Sequence, residues 1–189
     1  GGALHYKKCI DEVHNLNPHV GLELLCSDLS GNIEALKLLL RDSPLSVFAH
    51  NVETVRRLTP RVRDPRATFD QSLLILKKAK ELRPDIITKS SIMLGLGETK
   101  DDLIESFKEL RAVEVDLLTL GQYLSPGSRY HPVISFPSPE TFDRLAQIAK
   151  EMGFKAIASG PMVRSSYRAE SLLSAAKGET FDIKLKVVA

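Results

Sequence analysis

Polar side chains able to bind a ligand stand directly after, or inside, apolar runs of this sequence. Asn51 and Glu53 follow the apolar run 45–49, and Lys89 and Ser90 interrupt the run 86–94. An amide beside a carboxylate suits the hydroxyls of a ribose or an amino group, because both make directional hydrogen bonds. A lysine inside a buried strand is costly unless it faces a polar lumen or a charged ligand. We therefore take the interruption at Lys89 as the strongest indication of an active site.

A second candidate is the segment 88–99, TKSSIMLGLGET, which places Gly95 and Gly97 between a strand and a helix. Bare backbone at such a turn can approach a ligand closely. The segment lacks the third glycine of a dinucleotide-binding fingerprint and the Gly-Lys-Ser of a P-loop. Glycines of this kind are also common in purely structural turns, and the Asn51 and Glu53 pair is equally compatible with capping the next helix. Both alternatives stay open at this point.

The elements that must position these residues follow from hydrophobic periodicity. Short apolar runs predict strands at 20–25, 45–49, 86–94, 115–120 and 156–158. Helical spacing separates them, with Thr68, Thr99 and Ser138 as expected N-caps and Gly153 just past the end of the last helix. This alternation predicts an α/β fold with a parallel sheet or barrel. Ligands bind at the carboxyl ends of such strands, where Gln122, Tyr123 and the residues named above fall.

The predicted domain runs from residue 1 to 169. From Glu170 onward the periodicity is lost, so 170–189 is predicted to be a weakly ordered tail in which FDIKLKVV, 181–188, is able to pair as an edge strand.

Composition excludes several classes of protein. The 189 residues carry 26 Lys and Arg against 24 Asp and Glu, a net charge of +2, so no global field indicates nucleic acid or a membrane surface. No apolar run approaches the roughly 20 residues of a membrane span. Two cysteines, Cys9 and Cys26, are too few for a disulfide framework or for an iron–sulfur cluster, and they fit a reducing compartment. The first residues match neither a signal peptide nor a transit peptide.

Local charge is concentrated in one stretch of arginines: Arg56, Arg57, Arg61, Arg63 and Arg66. Such a stretch is usually a solvated loop. Its functional interpretation is the docking of an acidic partner protein by electrostatic steering.

Four segments together carry a resemblance to a known family. They are NVETV at 51–55, TKSSIMLGLGET at 88–99, LLTLGQYLSPGS at 117–128 and ASGPMVRSSYRA at 158–169. In this order and spacing the sequence resembles lipoyl synthase. Members of that family are radical S-adenosylmethionine enzymes that insert two sulfur atoms into the octanoyl chain of a lipoyl carrier protein. The resemblance implies an incomplete, TIM-like partial (β/α)6 barrel that lacks its first strands.

The resemblance also implies roles for individual residues. Asn51 and Glu53 are expected to contact the ribose or methionine of S-adenosylmethionine, and Lys89 and Ser90 to lie near the cofactor or substrate. The adenine side is expected to involve Gly95, Gly97, Glu98, Gln122 and Tyr123. Ser165 of the RSSY motif is the expected ligand of an auxiliary four-iron cluster, with Ser166 as the alternative. A hydroxyl is a weak cluster ligand, which suits a cluster consumed as sulfur donor.

The sequence departs from the family in lacking both of its cysteine triads, CxxxCxxC among them, which hold two 4Fe-4S clusters. We therefore expect the chain to begin inside the barrel domain, without the first two strands, and to be inactive alone. The implied partners are an octanoylated lipoyl carrier protein or lipoyl domain and an iron–sulfur cluster donor. The implied location is the mitochondrion, or the cytoplasm for a bacterial source. Two alternatives are a non-catalytic module that binds the carrier through the arginine stretch and an unrelated phosphate-binding barrel enzyme.

Overall fold

The computed structural model describes residues 2–178, which form a single parallel sheet with helices between its strands. The strands are β1 (Leu22–Leu25), β2 (Leu45–Ala49), β3 (Ile87–Leu94), β4 (Leu117–Gln122) and β5 (Ala156–Ser159). The helices are α1 (Ala3–Leu16), α2 (Ile33–Leu40), α3 (Thr59–Val62), α4 (Phe69–Leu82), α5 (Lys100–Ala112), α6 (Pro139–Glu151) and α7 (Ala169–Ala176), with a 3-10 turn at Leu29–Gly31.

The sheet order is β1-β2-β3-β4-β5, and every neighbouring pair is parallel. Strands that follow one another in the sequence and in space, each joined by a helix, are the repeating units of a β/α barrel. β1 and β5 are edge strands of this sheet among the described residues. The predicted fold class, an incomplete TIM-like barrel, is confirmed.

Helix boundaries follow the local sequence signals closely. The Thr68 hydroxyl accepts a hydrogen bond from the Gln71 amide, and Thr99 forms a reciprocal capping box with Asp102. Gly153 follows α6 with a φ of 92°, a left-handed conformation that favours glycine. Ser138 occupies the predicted N-cap of α6, but its side chain makes no capping hydrogen bond and lies near the Thr141 hydroxyl instead.

The two faces of the sheet differ in what covers them. Ile92 of β3 packs with α4, α5 and α6 on the outer face, whereas Ile87 packs with Leu172 of α7 on the other, which we call the concave face. Because side chains alternate along a strand, Lys89, Ser91 and Met93 share the concave face with Ile87. The polar interruption of β3 therefore divides between the two faces.

The predicted tail is partly helical in the structure. α7 covers Ala169–Ala176, and its Leu172 is 1% exposed against the concave face. The sequence pattern missed α7 because an eight-residue helix with one buried position has almost no periodicity. The possible strand at 181–188 lies outside the described residues. Within 2–178, no helix has the length and apolar character that crossing a membrane requires.

Candidate functional site

A cleft of about 390 Å³ opens on the concave face at the carboxyl ends of β2, β3 and β4. Its lining includes Asn51, Glu53, Ser91, Gln122 and Ser165. These residues come from the segments at 51–55, 88–99, 117–128 and 158–169, so the structure brings all four sequence motifs to one place. Carboxyl ends of parallel strands are where side chains are free to bind ligands.

Backbone pairing holds Glu53 at the cleft. The Glu53 amide donates to the Ser91 carbonyl at 3.0 Å, and the Met93 amide donates to the Glu53 carbonyl at 2.8 Å. These bonds extend the pairing of β2 and β3 beyond Ala49, with Glu53 at a φ of 66°. The next helices, α3 and α4, have Leu58 and Thr68 as their N-caps. The capping alternative for Asn51 and Glu53 is therefore not favoured.

The electrostatics around Glu53 suit an interaction with a cationic or hydroxyl group. Burial raises the pKa of the Glu53 carboxyl above its usual value, and the Asn51 side chain and the positive charge of Arg63 oppose that rise. The Asn51 Oδ1 atom is buried and accepts no hydrogen bond from the described residues. A buried acceptor of this kind needs a donor. An amino group or ribose hydroxyl would supply one.

A hydrogen-bonded chain positions Arg63 behind Glu53. His50 Nδ1 donates to the Cys26 carbonyl at 2.9 Å, and its Nε2 accepts from the Ser72 hydroxyl at 2.9 Å. The Ser72 oxygen in turn accepts from Arg63 Nη1 at 2.8 Å. Burial lowers the pKa of His50, which favours the neutral ring, and the hydrogen bond from Nδ1 to the Cys26 carbonyl sets the tautomer. His50 thus orients its neighbours and belongs to no group of three or more metal-ligating side chains within residues 2–178.

The Glu53→Gln variant is expected to be more stable than the parent at neutral pH, by on the order of 1 kcal/mol, because burial disfavours the ionised carboxyl and the neutral amide avoids that cost. Because the pKa of Glu53 is higher in the folded protein than in the unfolded chain, the protonated carboxyl contributes stability at pH values below the usual pKa of 4.5. That contribution is lost as the pH rises through the pKa of the folded protein. Urea unfolding at pH 7 and pH 4 measures the difference. The advantage of the variant should shrink at pH 4, and Glu12→Gln on the exposed face of α1 is the control. Equal stability of parent and Glu53→Gln at pH 7 would contradict the expected cost.

Lys89 lies on the concave face below the cleft. Its side chain is 1% exposed, and Nζ donates to both carboxylate oxygens of Glu23 on β1, at 2.8 and 2.9 Å. The lysine therefore faces the lumen as predicted, but its charge is matched by a residue of the same chain.

Ser90 faces the outer side, where its hydroxyl accepts from the Val52 amide at 3.2 Å. That bond makes Ser90 a support for residues 51–53, and its contact with a ligand stays a prediction.

The glycine turn follows β3 but does not line the cleft, and Glu98 instead lines a separate pocket of about 560 Å³ with Leu103 of α5 and Ile148 of α6. The Glu98 carboxylate accepts from the amides of Gly95 and Leu96 at 2.6 and 2.8 Å. Gly95 and Gly97 have φ values of 97° and 99°, and a Cβ on Gly95 would lie 2.4 Å from the Ser135 carbonyl. These features explain both glycines structurally. The predicted adenine contacts of Gly95, Gly97 and Glu98 stay predictions, and the Gly95 amide and the carbonyls of both glycines already have partners within the chain.

Gln122 and Tyr123 direct their side chains into the loop that follows β4. Gln122 Nε2 donates to three carbonyls, those of Leu94, Tyr123 and Ser135. The Tyr123 hydroxyl donates to the His131 carbonyl at 2.8 Å. Gln122 lines the cleft, but its amide group is already engaged, so the predicted adenine contact of both residues also stays untested.

The two serines of the RSSY motif are placed differently. Ser165 is partly buried and lines the cleft, whereas Ser166 is exposed and does not. Gly121, which the sequence reasoning missed, makes this placement possible, because a Cβ there would lie 2.3 Å from the Val163 carbonyl. Three further lining residues lie in the candidate segments 88–99 and 158–169 but were not singled out as site residues: Ser91, Met93 and Arg164. Alternation along β3 could have identified Ser91 and Met93 once Lys89 was assigned to the lumen.

The arginine stretch is largely neutralised within the chain. Arg56 pairs with Asp70 and Glu109, and Arg57 pairs with Asp102. Arg66 pairs with Asp64, and Arg63 donates to Ser72 as described above. The interpretation of this stretch as the docking site of a non-catalytic module is therefore not favoured, because most of its charge is already matched.

Neither cysteine behaves as a metal ligand in this part of the protein. Burial raises the pKa of the Cys26 thiol to about 12, so it stays protonated, and Cys9 is exposed on α1. No group of three or more metal-ligating side chains is present within residues 2–178.

Sequence comparison with known proteins points to the same family as the four motifs. A sequence model of the Radical SAM superfamily matches residues 3–110, more than half of the chain. The chain belongs to the Radical SAM superfamily. Within it, the chain is 50% identical over 173 residues to a lipoyl synthase of Halorhodospira halophila, covering 92% of this chain and 52% of that protein.

Other relatives give the same result. A lipoyl synthase of Thermus thermophilus is 49% identical, with 90% of this chain and 52% of that protein covered. A mitochondrial lipoyl synthase of Paracoccidioides brasiliensis is 51% identical, with 96% and 42% covered. The resemblance to lipoyl synthase is confirmed, and the chain spans about half the length of the curated relatives that it matches. Membership of the superfamily implies S-adenosylmethionine and an iron–sulfur cluster.

Proposed function

We propose that this chain is the cofactor-binding part of a lipoyl synthase, a sulfurtransferase that inserts two sulfur atoms into an octanoyl chain carried by a lipoyl carrier protein. The single observation that carries the proposal is the convergence of four family motifs on one cleft, in a chain about 50% identical to lipoyl synthases. The convergence adds to the motifs, because parallel strands place their carboxyl ends at one edge but do not by themselves direct side chains of all four segments into one cleft.

The cleft fits S-adenosylmethionine. The unpaired Asn51 Oδ1 and the partly buried Glu53 carboxylate offer acceptors for an ammonium group or for ribose hydroxyls. Bound S-adenosylmethionine would supply the adenosyl group for hydrogen abstraction, and the electron that this requires would have to come from outside the described residues. The chain's own residues would bind and orient it: Glu53 through its charge, Asn51 through its buried oxygen, and Ser90 by holding the Val52 amide.

An iron–sulfur cluster does not fit the described residues by themselves. Cluster sites need several thiolates, whereas this sequence has two cysteines, one of them buried as a thiol at the end of β1. We derive no chemical step through a cluster. The part that this chain would contribute is one ligand, Ser165, with Ser166 less suited because it lies outside the cleft. An iron–sulfur cluster donor would then be a partner of the whole enzyme.

The proposed location is the mitochondrion, supported by the mitochondrial lipoyl synthases of two Paracoccidioides species among the relatives. The same identity to bacterial relatives makes the cytoplasm the alternative for a bacterial source. We also retain 1–169 as the proposed barrel domain and 170–189 as the proposed tail, whose first part is the helix α7 with Leu172 buried against the concave face.

Binding of S-adenosylmethionine to the chain, measured by isothermal titration calorimetry, tests the proposal. Asn51→Ala and Glu53→Gln are each expected to weaken binding on the order of tenfold, the effect of losing about 1.4 kcal/mol of polar interaction. Asn15→Ala and Glu12→Gln, exposed on α1, are the matched controls and should bind as the parent does.

Two outcomes would contradict the proposed cofactor site. One is equal affinity of the parent, Asn51→Ala and Glu53→Gln. The other is displacement by a phosphosugar without affinity for S-adenosylmethionine, which would favour an unrelated phosphate-binding barrel.

A further inference from the structure

The loop between β4 and α6, residues 123–138, exposes four large apolar side chains, and the first of them, Leu124, lines the cleft. Leu124, Tyr130, Ile134 and Phe136 are 57%, 61%, 57% and 72% exposed. Single exposed apolar residues are normal, but a cluster of them marks an interaction site. Tyrosine and phenylalanine are also among the residues enriched in protein interfaces.

Hydrogen bonds and prolines hold this loop in place, so the exposure of its apolar side chains is a fixed feature of the fold. The Ile134 amide donates to the Gly95 carbonyl at 2.8 Å, and the Gln122 side chain donates to the Ser135 carbonyl at 3.1 Å. The Tyr123 hydroxyl fixes the middle of the loop through His131. Pro126, Pro132 and Pro137 restrict the backbone further. A rigid surface loses little conformational entropy when a partner binds it.

The charge of the loop selects the kind of partner. Residues 120–139 contain no Asp or Glu. Arg129 is exposed and has no carboxylate within ion-pair distance among the described residues, in contrast to the paired Arg56 and Arg57. Arg164, at the adjoining edge of the cleft, likewise contacts only backbone carbonyls in the described part of the chain. An apolar surface with unmatched positive charge complements an acidic protein surface.

The loop is also continuous with the cleft, because Leu124 lines the cleft together with Arg164 and Ser165. A partner seated on the loop would stand at the mouth of the cleft. A carrier protein that delivers a chain attached to one of its side chains needs this arrangement.

We propose that the exposed side of this loop, Leu124, Arg129, Tyr130, Ile134 and Phe136, is the docking face for the acidic surface of the octanoylated carrier domain. The proposal rests on the proposed function for the identity of the partner. It places the carrier on the loop between β4 and α6 rather than on the arginine stretch, of which Arg57 reaches the Gly97 carbonyl beside Ile134.

The test is titration of the full chain with an octanoylated lipoyl carrier domain, followed by isothermal titration calorimetry at 50 and 300 mM NaCl. Phe136→Ser and Arg129→Glu are each expected to weaken carrier binding about tenfold or more, as central interface residues do. Affinity of the parent should fall at the higher salt, and Arg129→Glu should show a smaller salt dependence. Leu38→Ser on α2 and Arg61→Glu in the arginine stretch are the matched controls, and both are expected to bind like the parent.

S-adenosylmethionine affinity, measured on the same variants, separates the two proposals. Unchanged carrier affinity in both loop variants would overturn the docking face, as would an equal loss in Leu38→Ser or Arg61→Glu. Self-association of the parent that Phe136→Ser abolishes, without carrier binding, would assign the loop to a second copy of the chain and overturn the proposal. Absence of carrier binding beside normal S-adenosylmethionine binding would overturn the docking face alone, whereas loss of both would overturn the proposed function as well.

Discussion

Lys89→Ala is expected to lower the free energy of unfolding by about 3 kcal/mol, the lower end of the cost of breaking a buried ion pair. The substitution removes the cation that meets both carboxylate oxygens of Glu23 at 2.8 and 2.9 Å. The remaining carboxylate would be left on a largely covered face without its partner, since the Glu23 side chain is only 19% exposed. Urea unfolding at pH 7, followed by far-ultraviolet circular dichroism, measures the change.

A double-mutant cycle isolates the pair. Glu23→Leu alone is expected to be nearly as damaging as Lys89→Ala, because it leaves an unpaired ammonium group in place of an unpaired carboxylate. The cycle uses Lys89→Met as its other single variant, and Lys89→Met with Glu23→Leu should recover most of the loss, since an apolar pair of similar volume carries no desolvation cost. Additive effects of the two single substitutions would mean that Lys89 and Glu23 contribute independently, and would contradict the pairing.

Gly95→Ala is expected to destabilise the protein by about 3 kcal/mol, well above the roughly 1 kcal/mol that a left-handed backbone conformation costs alanine. The added Cβ would lie 2.4 Å from the Ser135 carbonyl and 2.5 Å from Gln122 Nε2. Relieving that overlap requires the 123–138 loop to move. We therefore expect carrier binding to weaken together with stability.

Gly153→Ala is a matched control for this substitution. Its φ of 92° is close to the 97° of Gly95, but a Cβ at Gly153 would meet only the Arg111 Nε, at 3.8 Å. The difference between the two alanine variants in thermal or urea unfolding therefore measures the steric collision, with the backbone cost cancelled. Equal destabilisation of the two would show that the loop yields freely and does not pack rigidly on Gly95.

Much of the scaffold follows from local sequence. β2 was predicted at its observed bounds, and β3 began one residue later than predicted. The caps at Thr68 and Thr99 are short-range interactions between residues three apart, so the sequence contains everything they need. α7 escaped prediction because its stability comes from burial of Leu172 against strands far away in the chain.

The site was predictable in part for the same reason. Parallel strands bring their carboxyl ends to one edge, so Asn51, Glu53 and Ser165 could be expected near each other once the strands were assigned. Which face each side chain takes is a different matter. Ser90 was grouped with Lys89, but neighbours on a strand point to opposite faces, and Ser90 supports residues 51–53 from behind.

By itself, the sequence determined the alternation of strands and helices, the family, and the set of residues at the strand ends. Only the tertiary structure decided the charge pairing, in which Glu23 balances Lys89 and acidic residues neutralise most of the arginine stretch. It also decided that Ser165 enters the cleft while Ser166 stays outside it, and that the loop after β4 exposes apolar side chains. The physical reason is that periodicity and capping are set by neighbours in the chain. Charge pairing, burial and cleft lining depend on segments tens of residues apart, whose distances are fixed only when the sheet is assembled.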